Sequence, residues 1–185
     1  MAIVSLRELI DVVIMTLGVG FIFSDIFVPG YLHQRNKFGI NVEGLKFAII
    51  VTAPAVIFHE LAHKIFGLIY GMVATFHAAY TWLAVGILLK LANFPFIFFV
   101  PGYVEITGIG TPLQMSIVAF AGPGLNLALW LGSGWALKNN KVSHKHLRAA
   151  ILTREINKFL FILNMLPLPL FDGWKVYSGI WQTLF

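Results

Sequence analysis

The sequence predicts a mainly α-helical membrane protein: a polytopic bundle of about 4–6 transmembrane spans, with a small β-sheet between the second and third core helices. Two observations predict it. Apolar residues make up 58% of the 185 residues and charged residues 11%, against roughly 45–50% and about 25% in soluble domains. A mean hydropathy of +0.83 agrees, and runs approaching the roughly 20 apolar residues that a bilayer-crossing helix needs recur along the chain. With so little charge to face water, the chain reads as a multi-pass integral protein of the cell membrane with the lipid bilayer as its solvent. A single domain over residues 1–185 is expected, with its core at about 45–173.

Each element follows in order. The first apolar run, about Leu9 to Pro29, has Asp11 and Asp25 near its ends. It lacks the basic flank and small-residue cleavage site of a secretory signal, so it reads as a retained span. The loop Gly30 to Glu43 carries His33, Arg35 and Lys37. A second helix is expected from about Leu45 to Tyr70, apolar except where His59, Glu60, His63 and Lys64 cluster after Pro54. Met72 to Tyr80 reads as a short strand, Thr81 to Ala92 as a brief apolar helix, and Phe96 to Thr107 as strand around the Pro101-Gly102 turn. A third core helix, about Pro112 to Leu137, contains Gly122-Pro123-Gly124-Leu125-Asn126. The basic loop Lys138 to Arg148 leads to a helix over about Ala149 to Leu166, a proline-rich stretch ending at Asp172-Gly173, and a short last helix.

The net charge of +5 lies in loops and at span ends. Basic residues there report membrane orientation, and no stretch interleaves Lys or Arg with aromatics, so no nucleic-acid partner is expected. With no cysteine in the chain, disulfides and thiolate metal sites are excluded.

The chemistry concentrates on the second helix. Two histidines four residues apart differ by about 40° in azimuth, so His59 and His63 project from one face with a bite suited to a metal. Glu60, rotated by roughly 100°, can sit beside the metal and take a proton from the water it activates. Ionisable groups inside an apolar span are costly and point to function. A catalytic zinc takes three protein ligands. Glu8, Asp11, Asp25, Glu43, Glu105, Glu155 and Asp172 are the acidic candidates; Lys158 offers Glu155 a partner. Asp172 stands apart because it follows two helix-breaking prolines and precedes a glycine, a position that also suits an N-cap.

Three separated motifs then coincide. His59-Glu60-x-x-His63, Gly122-Pro123-x-x-Asn126 and Asn164-x-x-Pro167-x-Pro169-x-x-Asp172-Gly173 together resemble the site-2 protease family of intramembrane zinc metalloproteases, over about Leu45 to Gly173. The resemblance implies one zinc per chain held by His59, His63 and Asp172. It implies Glu60 as general base, and Asn126 and Asn164 lining the site for substrate or the oxyanion. The partner it implies is a transmembrane protein substrate, unwound against a free strand edge such as Phe96–Thr107, since a helical peptide hides its scissile carbonyls. Trp174 departs from the pattern, standing where many members have a further glycine. Two other readings remain: a non-catalytic membrane zinc-binding or partner-binding protein of the same fold, and an ion or proton path through Asp11, His59 and Glu60. His77 reads as a packed or interfacial histidine, and His144 and His146 as solvated loop residues.

Overall fold

The computed structural model describes residues 4–25, 41–94 and 100–185. Most of the expected loop Gly30–Glu43, the end of the first expected span and the start of the strand Phe96–Thr107 lie outside the described residues. The chain forms two compact units, Met1–Val56 with Phe76–Tyr103, and Ile57–Thr75 with Val104–Phe185.

In the first unit, α1 (Leu6–Phe23) opens with a reciprocal capping box: the Glu8 amide donates to Ser5 Oγ at 3.2 Å, and the Ser5 amide to Glu8 Oε2 at 2.8 Å. Its core face carries Met15, Val19 and Ile22, and it packs on α3 (Tyr80–Leu91). The C-terminal end of α1 is closed by a cation, as its exposed carbonyls favour. Lys90 donates to the Phe21 carbonyl and to Ser24, and pairs with Asp25 at 3.3 Å. The long helix α2 (Val42–Ile69) starts at Asn41, whose side-chain oxygen accepts the Gly44 amide at 2.9 Å. Pro54 lies inside α2 and faces outward.

In the second unit, α4 (Pro112–Lys138) begins with another capping box, Thr111 with Gln114, and Pro112 in its first turn. It packs on both α5 (Leu147–Asn164) and α6 (Asp172–Leu184). The Ser116 hydroxyl donates across to the Val176 carbonyl at 3.0 Å. Pro167 and Pro169 cannot continue α5, and the chain restarts as α6 at Asp172. Gly173 makes that restart possible: a Cβ there would lie 2.6 Å from the Met165 carbonyl oxygen, and the Tyr177 hydroxyl donates to the same carbonyl at 3.0 Å. The strands β1 (Val73–Ala78) and β2 (Gly102–Thr107) pair as a two-stranded sheet.

Among the described residues, two helices are long and apolar enough to cross a membrane, α2 with 28 residues and α4 with 27. α1 carries Arg7, Glu8 and Asp11 within its 18 residues, and α3 has 12 residues. Asp11, expected near a span end, lies inside α1 and is buried.

Candidate metal centre

The second unit brings His59, His63 and Asp172 together. His59 and His63 follow from the register of α2. Asp172 comes from a different element, at the first residue of α6, placed by the double-proline break and the close approach at Gly173. The three acceptor atoms form a near-equilateral triangle. His63 Nε2 lies 3.1 Å from His59 Nε2, and Asp172 Oδ2 lies 3.2 and 3.3 Å from the two nitrogens. Tetrahedral zinc with bonds of about 2.0–2.1 Å holds its ligands about 3.3 Å apart. The triangle has that size.

The protons point the same way. His59 Nδ1 faces Asn126 Oδ1 at 2.5 Å, and His63 Nδ1 faces the Val118 carbonyl at 2.8 Å. Both partners are acceptors, so each ring carries its proton on Nδ1 and turns a bare Nε2 toward the triangle. Two nitrogen lone pairs and a carboxylate oxygen then converge with no proton between them unless a ring becomes imidazolium. Such a set of acceptors is stabilised by a cation.

Space is reserved as well. Gly122 of α4 lies over the two imidazoles, where a Cβ would sit 2.7 Å from His59 Nε2 and closer still to His63 Nε2. A glycine that looks like a packing residue in the sequence thus keeps the metal position clear. The donor set, the tautomers and the space all fit zinc.

The other expected residues distribute as follows. Glu60 is buried beside the triangle, within electrostatic reach of His59, His63, Asp172 and Lys175. Asn126 is fully buried behind His59. Asn164, the last residue of α5, makes no hydrogen bond to the cluster among the described residues. The remaining acids serve elsewhere. Glu43 pairs with Lys46 at 2.9 Å, and His77 Nδ1 lies 3.8 Å from Asp11 Oδ2. Glu155 pairs with Arg154 at 3.2 Å, while Lys158, its expected partner, lies over the Trp130 ring. Sequence reasoning missed Asn157, whose Oδ1 accepts from Asn126 Nδ2 at 2.8 Å. The sequence carries no signal for it, since Asn157 stands among Thr153, Arg154, Glu155 and Lys158 in the most polar part of α5.

Fold and site together define a helical protein whose two histidines and one carboxylate could hold a metal ion, as such sets do in metallohydrolases. A Methanocaldococcus jannaschii protein described as "Putative zinc metalloprotease" is 36% identical over 173 residues, covering 93% of this chain and 84% of that protein. The chain belongs to the zinc metalloprotease family which that relative represents. No family model matches the chain, and no solved structure matches it.

Proposed function

We propose that this protein is an intramembrane zinc metalloendopeptidase of the site-2 protease type, hydrolysing peptide bonds in transmembrane segments of other membrane proteins. The observation that carries the reading is the acceptor triangle that Asp172 of α6 completes with His59 and His63 on α2, a helix long and apolar enough to cross a membrane. When bound, zinc supplies a Lewis acid that makes water nucleophilic near neutral pH. His59, His63 and Asp172 hold it, with the two Nδ1 protons committed to Asn126 and Val118.

Glu60 follows His59 directly, so its carboxylate sits beside the ligand set rather than in it. It takes the proton as water attacks the peptide carbonyl and delivers it to the departing amine. Asn164 offers amide donors to the substrate carbonyl at the mouth of α5. Asn126, occupied with His59, acts on the ligand. An apolar substrate helix must open before its carbonyl is reachable, and the edges of the sheet offer an extended segment backbone partners.

The test is Glu60→Gln, assayed on synthetic transmembrane peptides in detergent micelles with mass-spectrometric detection of products. Zinc content should stay unchanged while cleavage falls by about 10²–10⁴-fold. Cleavage at the wild-type rate would overturn the mechanism. Bound zinc without cleavage of any peptide by the wild-type protein would favour the non-catalytic zinc-binding alternative.

A further inference from the structure

Asn157 is 0% exposed and no motif accounts for it. Its Nδ2 donates to the Thr153 carbonyl one turn back, at 2.8 Å. A backbone carbonyl can only accept, so this bond decides which end of the Asn157 amide is which and turns Oδ1 toward α4. There it accepts from Asn126 Nδ2 at 2.8 Å. The opposite end of the Asn126 amide, Oδ1, consequently faces His59 Nδ1 at 2.5 Å.

We propose that Asn157 is a positioning residue that fixes the tautomer of His59 through the amide of Asn126, keeping His59 Nε2 available to the metal. The proposal rests on the metal-centre reading above and adds to it. The two ends of a carboxamide are nearly the same size, so a flip of Asn126 is opposed by hydrogen-bond polarity rather than by shape. A flipped Asn126 would aim its NH₂ at His59 Nδ1. The ring would then move its proton to Nε2 and lose the lone pair that binds a cation. His63 needs no such relay, because its Nδ1 is held by the Val118 carbonyl, which cannot exchange a donor for an acceptor. The polarity thus passes from the backbone of α5, through two amides, to one ligand on α2.

The experiment measures zinc affinity of the purified full chain in detergent by competition with a chromophoric chelator, alongside the visible spectrum of the cobalt-substituted protein. Asn157→Leu keeps the volume but removes the acceptor, and should weaken zinc about 10–100-fold, as loss of groups supporting a ligand does. Asn157→Asp, whose fully buried carboxyl stays protonated and donates its hydroxyl to the Thr153 carbonyl, keeps an acceptor for Asn126 and should bind zinc nearly as tightly as wild type, with an unchanged cobalt spectrum. The double variant Asn126→Asp with Asn157→Leu should recover most of the lost affinity, because a carboxylate cannot present a donor to His59 whichever way it turns. Wild-type affinity in Asn157→Leu would overturn the proposal. So would a double variant no better than Asn157→Leu, or an Asn157→Asp that loses zinc. Absence of zinc from the wild-type protein would overturn the metal centre itself, and this relay with it.

Discussion

Two buried polar clusters, one in each unit, use the same kinds of residues to opposite ends. In the first unit, donors face acceptors. Glu8 takes the Ser5 amide on one oxygen and the Phe76 amide on the other, each at 2.8 Å, and Asp11 accepts from the Tyr80 hydroxyl with His77 nearby. In the second unit, His59, His63 and Asp172 turn three acceptors toward one point, and both ring protons are drawn outward. Burying polar groups is affordable when each finds its complement. In the first cluster every one of these carboxylate oxygens except Asp11 Oδ2, which has only His77 Nδ1 near it at 3.8 Å, finds a donor within the protein; the second cluster offers acceptors alone and could hold a metal ion. Burial of carboxylates and imidazoles therefore does not identify the functional site. The direction of their protons does.

Substitutions can break this contrast, and the largest effect is expected at Gly122. Gly122→Ala puts a methyl group against both Nε2 atoms, and the variant should lose stoichiometric zinc while retaining its helical circular dichroism. Undiminished zinc content would mean that the three acceptors converge elsewhere. A smaller effect, of a different kind, is expected in the first unit. Glu8→Ala leaves the buried Phe76 N–H without its acceptor and opens the α1 cap, costing about 1–3 kcal/mol of stability. Chemical denaturation in detergent should register that loss, while zinc affinity stays at the wild-type value. A drop in zinc affinity comparable to the loss at Gly122 would show that the clusters are not separate in role.

Much of this was legible in the sequence wherever a local rule applied. The apolar runs around His59 and Asn126 placed α2 and α4 to within a few residues, and the Pro167-Pro169 break located the start of α6. The His59–His63 pair could be read because helical spacing alone sets their common face. The acid–amide relations were not legible, because they depend on which helices meet. Asn126 looked like a group lining the site, yet its oxygen is held by His59. Gly122 looked like a packing position, yet it borders the ligand atoms. Asn157 went unread because only the α4–α5 packing reveals what its amide faces. The span count depended on judging apolar runs by composition. α1 is interrupted by Arg7, Glu8 and Asp11, whose role emerges only when Phe76 and Tyr80 are seen to meet two of them.

The most direct test of the account is metal analysis of the purified protein beside Asp172→Ala. The account predicts close to one zinc per chain in the wild type and an affinity lower by at least about 100-fold in the variant, since a ligand should count for more than its supporting groups. A wild-type protein purified without zinc, or a variant that holds zinc as firmly as the parent, would contradict it.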